Sequence, residues 1–245
     1  MKQSNNNVEK ENYSEYNKIL KDKTYILPFQ NEYRVFRNYF KKNYLKLLPT
    51  SKNAKILDIG CGRGQFLYFL RKEGYTDIKG IDLDQENVNT CQKMGFKAVQ
   101  KDLFEFLKMS NEKYDAIILN DVIEHIQKEQ IVSALLLMKE RLAPRGKLLI
   151  KTVNCNSHAG MVGFFSDFTH EIGFTEKSLM QVGTLSGFRK FIAKNLYIYP
   201  NIPILDWLIF CYFKMIYSIK PITNYVNGQK PFAVFSKNIL AVFEK

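Results

Sequence analysis

Lys55-Ile56-Leu57-Asp58-Ile59-Gly60-Cys61-Gly62-Arg63-Gly64 is the stretch on which the reading of this 245-residue chain turns. Residues 55–59 read as a buried strand. Three glycines follow, and a helix from Gln65 to Glu73 begins directly after them. Glycine has no Cβ and tolerates positive φ, so such a loop brings backbone N–H groups close to a ligand at a helix N-terminus. The spacing decides which ligand. A dinucleotide fingerprint, GxGxxG, requires glycine where Gln65 stands. Asp58, two residues before the first glycine, would also repel a pyrophosphate. The loop suits a nucleotide-like ligand that is cationic or rich in hydrogen-bond donors.

Outward from the loop, short apolar runs alternate with helical stretches. Strands are expected at Ile78–Ile81, Ala98–Gln100, Tyr114–Leu119 and Lys147–Val153, with helices at Gln85–Met94 and about Lys128–Leu142. Pro144-Arg145-Gly146 reads as a turn. This alternation predicts an α/β fold, a doubly wound parallel sheet with helices on both faces and its ligand at the strands' carboxyl ends. A further helix is expected at Glu176–Leu185, and Asn238–Phe243 reads as a final strand. Upstream, Tyr33, Phe36, Phe40, Tyr44 and Leu47 recur at helical steps between Pro28 and Leu48.

Three acidic residues fall at strand ends. Asp82 is placed to accept from both ribose hydroxyls, with Asp84 the better helix cap. Asp102 is placed to accept from an adenine amino group, with Leu103 against the ring.

The motifs Ile56–Gly64, Gly80-Ile81-Asp82-Leu83-Asp84, Lys101-Asp102-Leu103, Tyr114–Ile117 and Asp121-Val122-Ile123-Glu124-His125-Ile126, in that order, resemble the class I methyltransferase family over about residues 50–155. The resemblance implies a Rossmann-like seven-stranded sheet whose last strand is antiparallel. It implies S-adenosylmethionine as cofactor, leaving as S-adenosylhomocysteine. Its sulfonium and α-ammonium groups answer the demand made by Asp58. The cofactor-binding residues implied are Asp58, Gly60, Cys61, Gly62, Gly64, Asp82, Leu83, Asp102, Leu103, Asn120 and Asp121, the last two near the methionine moiety. A narrower run, Asp167 to Thr175 with Ser178-Leu179 and Gly187-Phe188, is similar to methyltransferases encoded with capsule, O-antigen and other surface-glycan pathways.

The resulting domain organisation is an N-terminal arm and helix over 1–50, acting as a lid, and a methyltransferase domain over 51–245. The latter holds a substrate-binding insertion at about 155–175 and an apolar helical insertion at about 200–230. Transfer to a hydroxyl requires an aligned acceptor and a proton acceptor. His170 is the candidate general base, with Asp167 or Glu171 orienting it or binding acceptor hydroxyls; a purely structural His170 is the competing reading. His125 reads as a site-wall or helix-start residue. No metal is expected, because Asp121 and Glu124 lack a further cluster at ligand spacing.

The net charge of +12 lies on the flanks: residues 1–52 carry 11 basic and 5 acidic side chains, and residues 188–245 carry 8 and 2. Nucleic acid is not the expected partner, since no RNP-type module or DNA-binding helix pair is present and Asn120-Asp121-Val122-Ile123 stands where amino-directed nucleic-acid enzymes carry a Pro-Pro-Tyr-type motif. A small-molecule or sugar-type acceptor is. Residues 202–219, apolar but interrupted by Asp206 and Lys214, read as a buried helix or a subunit contact first and a shallow membrane contact second. The four scattered cysteines read as buried thiols in a reducing cytoplasm, at the membrane's inner face if those residues touch lipid.

Overall fold

Every side chain of β1 (Ile56–Ile59) is buried, as in a strand covered on both faces. The computed structural model describes residues 29–196 and 233–245, with positions 204, 207, 208, 211, 212 and 215. In chain order α1 (Phe29–Tyr44) precedes β1, then α2 (Gln65–Lys72), β2 (Ile78–Asp82), α3 (Gln85–Lys93), β3 (Lys97–Gln100), α4 (Leu103–Met109) and β4 (Tyr114–Asn120). Two short 3₁₀ turns, Ile123–His125 and Lys128–Gln130, lead into α5 (Ile131–Arg141) and β5 (Leu142–Val153). After these come α6 (His158–Phe165), α7 (Glu176–Leu185), β6 (Lys190–Asn195) and β7 (Asn238–Glu244).

The sheet order is β3-β2-β1-β4-β5-β7-β6. The first five strands are parallel, and β7 runs antiparallel to both β5 and β6. The anticipated seven-stranded sheet with an antiparallel last strand is therefore the observed one. Alternate residues of each strand feed two cores. Ile56, Ile118 and Leu240 join Phe40, Tyr44, Phe66 and Phe69 on the face covered by α1 and α2. Leu57, Ile117 and Ile239 join Leu107, Leu135 and Leu179 on the face covered by α4, α5 and α7. Each fully buried aliphatic side chain contributes about 1.5–3 kcal/mol against leaving it exposed. The N-terminal helix shares its core with the sheet.

Four elements depart from expectation, the first being α4, a helix over Leu103–Met109 where none was expected. Pro144-Arg145-Gly146 is not a turn between elements. It lies inside β5 as an irregularity where the pairing slips from Tyr114↔Leu142 to Ala116↔Lys147, with Arg145 at φ 63°. The insertion expected at about 155–175, for which no helix was anticipated, contains α6, capped by the Ser157 hydroxyl accepting from the Gly160 amide at 3.0 Å. The edge strand β6 has a half-buried, half-exposed alternation too short to announce itself.

Between β6 and β7 the chain leaves and returns at a pinned base. Asn195 Oδ1 accepts from the Phe235 and Ser236 amides at 2.8 and 3.0 Å, its Nδ2 donates to the Ala233 carbonyl at 3.1 Å, and Leu196 N donates to Ser236 Oγ at 3.0 Å. The expectation of an apolar insertion at 202–219 lies outside the described residues except at six positions, where Ile204, Trp207, Leu208, Tyr212 and Met215 are exposed. Among the described residues no helix is long and apolar enough to cross a membrane. Cys61 and Cys91 are buried as expected, whereas Cys155 and Cys211 are half-buried, the former in the segment that closes over the sheet's carboxyl ends.

Candidate active site

The order reverses between β1 and β4, and parallel strands there splay their following loops to opposite faces. A cavity of about 530 Å³ opens at their carboxyl ends. Its walls come from the glycine loop, the ends of β2 and β4, the turn after β4, and the segment after α6.

On one side stand Gly60, Gly62, Asp82, Leu83, Asp102 and Leu103. Gly60 has φ +69°, and a Cβ there would meet Val122 Cγ2 at 2.4 Å, so no other residue fits. Asp82 accepts from the Gly62 amide (2.7 Å), the Asp84 amide (2.9 Å) and Asn87 Nδ2 (3.2 Å), which ties the loop to β2. Burial still holds its carboxyl above the ordinary value, against those hydrogen bonds. Asp84 caps α3 through the Glu86 amide, as expected. Asp102 caps α4, its Oδ1 accepting from the Phe104 and Glu105 amides.

Asp58, Cys61, Gly64 and Asn120 are not on the cavity wall. Asp58 lies behind the loop, buried, with its Oδ1 lacking any hydrogen-bond partner. Burial first, and the Asp82 carboxylate second, raise its pKa well above the usual carboxylate range. Cys61 is buried beneath the loop. Gly64 opens α2 at φ +85°, where a Cβ would meet Cys91 Sγ at 2.9 Å; its role is the close approach of α2 and α3. Asn120 accepts a 2.6 Å hydrogen bond from the buried Tyr44 hydroxyl, joining α1 to the end of β4.

The other side holds Asp121, Glu124, His125, Lys151, Asp167 and His170. Asp121 sits at φ 55°, a conformation Asp adopts more readily than most residues. It is ion-paired with Lys151, which lifts the lysine's pKa although burial opposes it. Glu124 is fully buried with neither carboxylate oxygen hydrogen-bonded; burial and then Asp121 push it up to about 8. The Glu124 carbonyl accepts from the Glu171 and Ile172 amides at 2.8 and 3.3 Å, pinning the segment after α6 against the turn after β4. That tie brings His170 beside His125, their ring centroids 4.8 Å apart. His170 stacks on Phe164 at 5.4 Å. Asp167 Oδ2 stands 3.8 Å from His170 Nε2. Burial, then His170, hold His125 below the ordinary imidazole pKa.

Sequence reasoning weighed Glu124 only as a metal ligand and missed its burial at the cavity wall, Lys151 and the pairing of His125 with His170. Only the adjacency of Glu124 and His125 after a strand end hinted at it.

Backbone amides at a helix start, strand-end carboxylates and a switch-point cavity define a nucleotide-type α/β binding domain with a second, chemically distinct subsite. The profile of a family described as a methyltransferase domain matches residues 32–189, and the chain belongs to that family. The chain is 29% identical over 120 residues to a ubiquinone biosynthesis O-methyltransferase of Rickettsia bellii (strain OSU 85-389), covering 46% of this chain and 48% of that protein. It is 30% identical over 119 residues to EEF1A lysine methyltransferase 2 of Danio rerio, covering 42% and 50%. The chain spans about half the length of the curated relatives it matches. A SAM-dependent methyltransferase from Archaeoglobus fulgidus superposes with a TM-score of 0.65 at 22% identity, covering 91% of this chain and 100% of that one. The plantazolicin methyltransferase BpumL, crystallised with SAH, gives 0.56 at 18% identity, covering 89% and 87%. These likenesses establish the fold.

Proposed function

We propose that the protein transfers a methyl group from S-adenosylmethionine to a hydroxyl oxygen of a small-molecule acceptor. The carrying observation is the pairing, in one cavity, of a donor-seeking carboxylate wall with an imidazole–carboxylate cluster. The cofactor supplies an electrophilic methyl on a sulfonium. Asp82 accepts from ribose hydroxyls, using acceptor capacity beyond the three hydrogen bonds it already holds. Gly60 and Gly62 let the backbone approach the ligand, and Leu83, Asp102 and Leu103 border the base. Asp58, buried behind the loop with its Oδ1 lacking a hydrogen-bond partner, favours the arrival of positive charge. Asp121 stands where the methionine end belongs.

His170, with Asp167, activates the acceptor hydroxyl. Its Nδ1 faces the Phe164 carbonyl at 2.8 Å, so Nδ1 carries the ring proton of the neutral form and Nε2 carries the lone pair. The preferred acceptor is a sugar or sugar-linked hydroxyl in surface-glycan synthesis. That reading rests on the similarity of residues 167–188 and on the position of Asp167 and His170 at the cavity wall. A quinone-precursor hydroxyl is the second reading, favoured by relatives named for ubiquinone biosynthesis. The reaction takes place in the cytoplasm under either reading. Methyl transfer from radiolabelled cofactor to nucleotide-linked sugars and to dihydroxybenzoate-type phenols separates the two; incorporation into neither, with the cofactor bound, overturns hydroxyl methylation.

A further inference from the structure

The sequence offers no metal motif, yet the acceptor side gathers two imidazoles and a carboxylate from distant stretches of chain. One nitrogen of His125, one of His170 and one oxygen of Asp167 lie within 4.8 Å of one another. Their orientations are set by other bonds. His170 Nδ1 faces the Phe164 carbonyl at 2.8 Å, and His125 Nδ1 faces the Thr169 carbonyl at 3.2 Å and the Thr169 hydroxyl at 2.9 Å. A carbonyl oxygen only accepts, so in the neutral form both rings carry their proton on Nδ1 and their lone pair on Nε2. Metal-bound imidazoles are held in this way, the non-ligating N–H donated to a carbonyl or carboxylate. Asp167 is oriented likewise: Oδ1 accepts from the Thr169 amide (2.9 Å) and hydroxyl (2.7 Å), which turns Oδ2 toward His170.

The 3.8 Å between His170 Nε2 and Asp167 Oδ2 is too long for a hydrogen bond. It is near the ~3.4 Å edge expected between two ligands each ~2.1 Å from a tetrahedral metal. A second observation points the same way. Glu124, next to His125 and on the same cavity wall, is fully buried with both carboxylate oxygens lacking hydrogen-bond partners. A buried carboxylate without partners is costly, and a nearby cation offsets that cost.

We infer that His125, Asp167 and His170 form a binding site for one divalent first-row transition-metal ion, open toward the acceptor half of the cavity. Two imidazoles and one carboxylate suit zinc, iron, cobalt or manganese and disfavour magnesium, which prefers oxygen ligands. The inference deepens the hydroxyl-methylation reading and rests on it for its catalytic role. The acceptor oxygen binds at the open position, and its proton leaves to water because the ion lowers its pKa. The oxygen then forms the O–CH₃ bond as the S–CH₃ bond breaks, the sulfur keeping that electron pair. His170 acts here by holding the ion.

The test uses the full chain, stripped with a chelator and titrated with Co²⁺ while its d–d absorption is followed, with SAH binding measured by calorimetry on the same samples. One equivalent of Co²⁺ is expected. His125→Gln, His170→Gln and Asp167→Asn should each weaken binding about 100-fold or more, and Thr169→Val about tenfold, with SAH affinity unchanged. Wild-type protein that binds SAH but takes up no more Co²⁺ than the His125→Gln/His170→Gln double variant overturns the site. If metal-free protein methylates a hydroxyl at the full rate, the metal's role falls and the methyltransferase reading stands. If Co²⁺ binds stoichiometrically but no hydroxyl acceptor is methylated, the site stands and the acceptor reading falls.

Discussion

At the cofactor end of the cavity, recognition is written in backbone and in carboxylates fixed at the ends of adjacent strands: Gly60 and Gly62 after β1, Asp82 ending β2, Asp102 after β3. At the acceptor end it is written in side chains that only tertiary structure brings together, His125 after β4 and Asp167 and His170 after α6. The first end depends on the sheet and tolerates little change. The second depends on one strap of chain pinned to the Glu124 carbonyl, so it is free to vary its chemistry without cost to the sheet.

Substitutions can break this division. His170→Ala is expected to have the largest effect, slowing transfer about 10²-fold or more while cofactor affinity holds; single-turnover rates beside a cofactor titration check it, and an equal loss in both would mean the two ends are not separable. Asp82→Ala removes the acceptor of three hydrogen bonds and should weaken cofactor binding roughly 10- to 100-fold, at about 1.5–3 kcal/mol for hydrogen bonds to a charged group. Calorimetric titration with SAH reads this directly.

Asp58→Asn sharpens the comparison through pH. Burial and Asp82 raise the folded-state pKa of Asp58 above its unfolded value, so the folded state holds an extra proton between the two. Stability of the cofactor-free protein then falls as pH rises from about 4 through the folded pKa. The variant should show a flatter fall of Tm with pH and an equal or higher Tm at neutral pH, yet bind cofactor more weakly. Parallel Tm–pH curves for the two proteins would remove Asp58 from the account. The smallest effect is expected from Tyr44→Phe, which deletes the bond to Asn120 at a cost of about 1 kcal/mol, a Tm shift of about 2–4 °C, with transfer rate little changed.

What could be read in advance follows the same division. The strand, glycine loop and helix at 55–73 are local and periodic, and Asp82 and Asp102 follow strands whose ends show in the apolar pattern. The doubly wound sheet was legible for that reason. Strand β6 was not, because an edge strand with one half-buried face carries a weak alternation. Helix α6 was not, because its two glycines read as loop. Pro144-Arg145-Gly146 has turn composition, but the sheet absorbs it within β5. The nearness of His125 to His170 depends on amide bonds from Glu171 and Ile172 to Glu124, which no local pattern encodes. The burial of Glu124 and the withdrawal of Asp58 from the cavity wall are likewise properties of packing.

The pinned base between β6 and β7 carries a consequence for how this chain diversifies. Asn195, Leu196 and Ser236 join the end of β6 to the start of β7 through their own hydrogen bonds, so the two ends of the connection are held together at the sheet. The entropy of closing such an excursion rises by only about 0.6 kcal/mol for each doubling of its length. A change in the length of this connection is thus expected to cost little thermodynamically, with β7 keeping its place between β5 and β6.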